Sequence, residues 1–276
     1  VGQGAVAAKH APSAQDAGAV HEAVDPPEMR VRPPGVAFPA AGGLVKRLLL
    51  VALIASASLQ AAEVRVAVFG LFHPREVRTR RLNSGEFLLS VPGRIERRFR
   101  GRLEIVQSGA EVIPVVTMDL ETAVASIVAA ESPPGAGLES LKAQAVVARS
   151  YLLAARGRHP HSDFCDTTHC QFLREPPPQD SPAAQAARLT AGAVLMHEGR
   201  VVPALYSSDC GGSTRSQESE GFPYFAVKCP VVSGVASGHR LGLCQTGAAA
   251  MARSGAVWTD ILRHYYPAAI IAWEGF

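Results

Sequence analysis

The apolar positions change rhythm along the chain, and each change predicts an element. Val64, Val66 and Val68 alternate with Arg65 and Ala67 up to Phe69, which reads as a strand stopped at Gly70. Phe87–Val91 and Leu103–Val106 are expected to be further strands, separated by basic, turn-rich stretches. After Asp119, a residue type suited to an N-cap, the spacing becomes helical and runs to about Ala130. Ser132-Pro133-Pro134-Gly135 ends this helix, because proline cannot continue the hydrogen-bond ladder. A second, longer helix is expected from Leu138 to about Gly157, with a stripe at Leu141, Ala145, Ala148 and Leu152.

The second half is more broken. A polar loop rich in His and Cys precedes a loop at Glu175–Pro182 and a short helix over Pro182–Leu189. Ala193–Met196 and Val201–Ser207, split by Glu198-Gly199, predict a hairpin. A glycine-rich segment follows at Gly238–Gly247, then a small-residue helix through Met251 and a helix over Thr259–Tyr265. No internal repeat is found. Strands and helices mix without a βαβ rhythm, so the expected class is α+β. It would comprise one main domain with N-terminal β-strands and a helical pair, the first helix ending at Glu131.

Composition changes this picture mainly at the ends. The chain has 276 residues, a net charge of +3, 18% charged and 47% hydrophobic residues. A charge of +3 does not mark a nucleic-acid binder, and none is expected as partner. The 25 glycines and 20 prolines lack the period of collagen, and five cysteines do not make a disulfide-dense mini-protein. Residues 1–44 show neither helical nor strand periodicity and read as a disordered or untranslated extension. Lys46-Arg47, the apolar run Leu48–Ala55 and the small residues up to Ala62 have the parts of a signal peptide over 45–62. Its apolar run is short for a membrane span, and an uncleaved anchor is the alternative. Export to the periplasm or the outside follows from either, with the folded part at 63–276.

Candidate chemistry starts with Glu131. Leu120, Val124, Ile127 and Glu131 share one helical face, so the carboxylate continues an apolar stripe at the end of its helix. Partial desolvation there would raise its pKa, as a general acid requires; a surface glutamate at a frayed terminus is the alternative. His159, His161, Cys165, His169 and Cys170 supply more than the four N and S ligands a closed zinc site takes, one of the first two histidines being spare. A Cys165–Cys170 disulfide competes with zinc. Four protein ligands would leave no place for a bound water, which points to a structural metal. Of the remaining Cys210, Cys229 and Cys244, one must be free or pair elsewhere, and Cys210–Cys229 is the preferred bond. Cys210 lies in the hydroxyl-rich turn Ser207–Thr214, whose glycines let backbone approach a ligand. The loop Gly238–Gly247 is not a phosphate-binding pattern. A Cys244–His239 nucleophile pair and a serine triad at Asp209 are weaker readings, since no GxSxG elbow exists.

Several of these segments, in this order, resemble the SpoIID/LytB family of sporulation and amidase-enhancer proteins. They are Asp119-Leu120-Glu121 through Glu131, Leu138 through Tyr151 with AQAVVARSY, and CDTTHCQ at Cys165–Gln171. The turn Ser207–Thr214, the loop Gly238–Gly247 and Ile261–Pro267 complete the pattern, which covers roughly residues 100–271. The resemblance implies a peptidoglycan lytic transglycosylase with Glu131 as catalytic acid. It implies structural zinc on Cys165, His169, Cys170 and an upstream histidine, His159 or less well His161. It also implies a glycan groove lined by Ser207, Ser208, Gly211 and Gly212 on one turn and His239 and Gln245 on the other. Gln144, Arg149 and Tyr151 are expected to face or buttress that groove. The family's amidase enhancers suggest the alternative of a non-catalytic glycan-binding module that stimulates a partner cell-wall amidase. This chain departs from the pattern at Arg240, where glycine is usual, at Cys244, where serine is common, and at Ser132, where methionine is usual.

Overall fold

A computed structural model describes residues 62–273. The extension at 1–44 and nearly all of the signal segment at 45–62 fall outside the described residues. In chain order the strands of the first half are β1 (Glu63–Ala67), β2 (Arg78–Asn83), β3 (Glu86–Val91), β4 (Ile95–Arg100), β5 (Arg102–Ser108) and β6 (Glu111–Asp119). Helices α1 (Leu120–Glu131) and α2 (Leu138–Ala154) follow, then β7 (Phe164–Cys165), α3 (Pro182–Leu189), β8 (Ala193–His197) and β9 (Arg200–Val201). The last part holds β10 (Tyr206–Ser207), β11 (Asp209–Cys210), β12 (Gln217–Ser219), β13 (Phe222–Tyr224), β14 (Ala236–Ser237) and β15 (Leu243–Cys244). It closes with α4 (Gln245–Arg253), α5 (Trp258–Tyr265) and β16 (Ile270–Trp273). The class is α+β.

The main sheet has the order β5-β6-β1-β7. β6 was not foreseen, because Val112–Val116 is an unbroken apolar run with a proline inside, and proline argues against a central strand. The structure accommodates Pro114 because β1 ends opposite Val115; beyond that point the proline carbonyl only accepts, from the Val68 N–H at 2.9 Å. A second sheet, β2-β3-β4, also exceeds expectation. In β4 the arginines mask a period of two: Phe99 is buried while Glu96, Arg98 and Arg100 point outward. The third sheet, β16-β8-β9, contains the expected turn at Glu198-Gly199 but ends the hairpin at Val201. Tyr206-Ser207 instead pairs in parallel with Leu243-Cys244, which joins the two loops assigned to the site.

Asp119 caps α1 by accepting the Thr122 N–H at 3.1 Å. α2 is buried on nearly every side, Ser140, Gln144, Arg149 and Ser150 included, which goes beyond the single stripe expected of it. Its Leu141, Ala145, Ala148 and Leu152 belong to one hydrophobic core, shared with the main sheet and α1. Ala143, Val146 and Val147 belong to a second core with the C-terminal elements. One helix is therefore the wall between two cores, and both bear on its position. Among the described residues no helix is long and apolar enough to cross a membrane.

Arg149 is placed to buttress rather than to face the cleft. Its side chain is fully buried and turned away from any groove, forming a double hydrogen bond to Glu121 at 2.7 and 2.6 Å. It also donates to the carbonyls of Ala193 at 2.9 Å and Ala187 at 3.2 Å. A guanidinium offers five donors in a fixed fork, which here ties α1, α2, α3 and β8 together. Arg149→Ala should therefore lower stability by about 3–5 kcal/mol, through lost partners and lost volume. Urea unfolding measures this; a variant as stable as the parent would show that the fork contributes nothing.

Candidate active site

Glu131 is the last residue of α1, and the stripe of Leu120, Val124 and Ile127 brings that end of the helix against the core. Its carboxyl projects into a cleft of about 390 Å³. The helix break at Ser132 leaves the last-turn carbonyls without intrahelical partners. One of them, the carbonyl of Glu131 itself, accepts from Gln245 Nε2 at 3.0 Å. Gln144, almost wholly buried, receives the same amide at 3.5 Å, so a chain of side chains fixes the helix end. On the other side the Phe172 N–H donates to the Glu131 carboxylate. Burial raises the Glu131 pKa above its ordinary value, while the Phe172 N–H and the Tyr206 hydroxyl oppose that rise.

Tyr151, Ser207, Ser208, His239 and Gln245 line this cleft with Glu131, as do Tyr206, Gln171, Phe172, Ser237 and Gly238. Gly238 is required there: its φ is +99°, and a Cβ would fall 2.8 Å from that of Ser207. His239 Nδ1 accepts the Leu241 N–H at 3.0 Å. Burial, with the charge of Arg215, pulls the His239 pKa down, so the ring stands neutral at neutral pH. Gln144 lies behind the cleft and acts through Gln245. Gly211 and Gly212 do not reach it: they have positive φ and turn the chain beneath Val232–Ala236.

Tyr206 was missed. Its hydroxyl is sealed from solvent, has no hydrogen bond of ordinary geometry, and lies close enough to Glu131 to favour its anion. Read as one residue of a strand, it gave no sign of this; only the pairing of β10 with β15 brings it to the carboxylate. Gln171 and Phe172 were also missed as cleft residues, although they adjoin the cysteine motif.

His159, Cys165, His169 and Cys170 converge, with one ligand atom of each within 4.8 Å of the others. His159 Nε2 lies 3.1 Å from Cys170 Sγ, and His169 Nδ1 lies 3.6 Å from Cys170 Sγ and 3.9 Å from Cys165 Sγ. His161 is exposed and outside the group. The Cys170 thiol donates to Cys165, which draws Cys165 down to about 4 and pushes Cys170 up. The two sulfurs are not bonded to each other in the structure; both are free thiols. Two sulfurs and two imidazoles suit a tetrahedral d10 cation. The same loop carries Phe172, whose N–H holds Glu131, so cluster and carboxylate are mechanically linked. Asp166 in this loop accepts from the N–H groups of Phe69 at 2.8 Å and Gly70 at 3.0 Å, anchoring it to the end of β1.

The weaker nucleophile readings find no geometry. Cys244 is buried outside the cleft, and burial pushes its thiol up to about 12. Asp209 is engaged by the Gly211 N–H at 2.8 Å and the Ser233 hydroxyl at 2.9 Å, and orients no histidine. The expected Cys210–Cys229 bond is absent, all three remaining cysteines being free thiols.

Residues 108–197 match the family described as SpoIID, stage II sporulation protein, a stretch that contains Glu131, Arg149 and all four residues of the His/Cys cluster. Over 141 residues the chain is 30% identical to an uncharacterised protein of Brachyspira hyodysenteriae (strain ATCC 49526 / WA1), covering 50% of this chain and 37% of that one. The chain thus spans little more than a third of the length of the relative it matches.

Proposed function

We propose that this protein is a peptidoglycan lytic transglycosylase that acts outside the cytoplasm. The observation carrying this reading is that Glu131 is the only acidic residue among the described residues lining the cleft. Hydrolysis of a glycoside ordinarily takes two carboxylates, one to protonate the leaving oxygen and one to serve as nucleophile or activate water. A transglycosylase can work with one, because the substrate supplies the attacking oxygen.

In this mechanism Glu131 gives its proton to the glycosidic oxygen between N-acetylmuramic acid and N-acetylglucosamine. The carboxylate then takes the proton of the muramyl C6 hydroxyl, which closes on C1 to leave a 1,6-anhydro end. The acid is restored and no water is consumed. Ring closure within one sugar has the advantage of an intramolecular reaction. Phe172 N–H and Tyr206 stand beside the carboxylate while it is charged, and neutral His239 and Gln245 are placed to bind sugar hydroxyl or acetamido groups.

We also assign the cluster of His159, Cys165, His169 and Cys170 to a structural zinc ion. When bound it supplies a rigid cross-link and no chemistry. The four residues hold the loop that presents Phe172 to Glu131.

The test is mass spectrometry of products from purified sacculi and from peptide-free glycan strands. Anhydro ends are expected. Stimulation of a purified cell-wall amidase with no anhydro product would instead support the binding-module alternative. The pH profile is a separate check. Glu131 must be protonated to begin, so kcat/KM should fall as pH rises through its raised pKa, above the ordinary 4.5. A rate that climbs steadily with pH would remove Glu131 as the acid.

A further inference from the structure

We propose that Cys210, Cys229 and Cys244 form a second metal site, an all-sulfur tripod for a thiophilic d10 cation, best matched by monovalent copper. The three Sγ atoms lie within 4.8 Å of one another, and all three residues are buried. They arrive from separate segments: β11, the chain after β13, and the junction of β15 with α4. Two sulfurs each about 2.3 Å from a common three-coordinate ion stand roughly 4.0 Å apart, so small shifts would close the tripod. Among the described residues no histidine or carboxylate joins the three. Purely soft donors select soft cations, and three sulfurs without a fourth ligand suit three-coordinate monovalent copper.

The surroundings of the sulfurs point the same way. Cys244 Sγ accepts the N–H groups of Cys210 at 3.3 Å and Gly247 at 3.4 Å, the latter in the first turn of α4. The Tyr265 hydroxyl lies 3.5 Å from Cys229 Sγ. Cys244 and Cys229 thus meet N–H or O–H groups, the outer partners that orient metal-bound ligands. Neutral thiols are weak acceptors and a disulfide would use only two sulfurs, so neither accounts for the full arrangement. Gly247 permits it: a Cβ there would fall 2.4 Å from Cys229 Sγ and 2.0 Å from Tyr265 Oη. On binding, each S–H bond breaks, its proton leaves to solvent, and an S–metal bond forms, with no change of oxidation state. The cation would tie the Ser207-Ser208 turn to the start of α4 from behind, whether or not the cleft is catalytic.

The test uses the full chain, reduced, freed of metal and then supplied with one equivalent of zinc. Monovalent copper is added without oxygen, against bicinchoninate as competitor, and protected thiols are mapped by alkylation and peptide mass spectrometry. One copper should be retained, with Cys210, Cys229 and Cys244 protected together. Cys210→Ser and Cys244→Ser should each lose the copper while circular dichroism and zinc content stay unchanged. In Cys244→Ser the new hydroxyl can still accept the Gly247 N–H, which guards that variant against misfolding. Failure to retain copper, retention only with release of zinc, or retention by both variants would overturn the assignment. So would a disulfide joining Cys210 to Cys229 or Cys244 in protein isolated without reductant.

Discussion

Glu131→Gln should lower the formation of anhydro-muropeptides by at least about 10²–10⁴-fold, the usual contribution of a general acid or base, and by more if the same group serves in both steps. Glutamine keeps the shape of the side chain and can still accept the Phe172 N–H, but it has no proton to give and no charge to take one back. The same substitution should make the folded protein more stable at pH values above the Glu131 pKa. Burial raises the Glu131 pKa in the folded state, so the folded state holds the proton more tightly than the unfolded chain does. The stability this confers is complete below the unfolded value of 4.5 and is lost as pH rises through the folded value. Above the folded value the parent therefore carries a desolvated charge that the variant lacks. Thermal melts of the two proteins should differ most above the raised Glu131 pKa and converge in acid. An inactive variant with lower stability at every pH would mean that the substitution had damaged the fold instead.

Cys165→Ser has the second-largest expected effect. Loss of a structural metal is among the few single changes that exceed about 4 kcal/mol. At roughly 2–4 °C per kcal/mol for a domain of this size, Tm should fall by about 10 °C or more. Bound zinc should fall in step, and a chelator should reproduce the loss in the parent but not in the variant. Activity should decline with stability, because the loop that would lose its anchor presents Phe172 to Glu131. A metal-free parent with undiminished Tm would remove zinc from the account of this loop.

Much of the frame was readable because local rules agreed. Asp119 as N-cap, the proline break after Glu131 and the start of α3 at Pro182 each follow from backbone chemistry within a few residues. So does the placement of Glu131 on the apolar face of its helix, since helical spacing is a local property. The strands were harder. β4 hid its alternation behind arginines, and β6 carried a proline that only the early end of β1 makes harmless.

The candidate site divides along the same line. Sequence could nominate Glu131, the His/Cys group and the two glycine-bearing loops, because their chemistry belongs to the side chains themselves. It could not choose between His159 and His161, which sit two residues apart and differ only in where the chain turns them. Nor could it see that Arg149 spends its donors on Glu121 and two buried carbonyls, or that Tyr206 ends beside Glu131. Those outcomes depend on which distant segments pack together: β10 against β15, α2 between two cores, the cysteine loop under the end of α1. Residue identity determined what each group could do; the long-range packing decided which groups meet, because desolvation and hydrogen-bond geometry exist only once those segments are in contact.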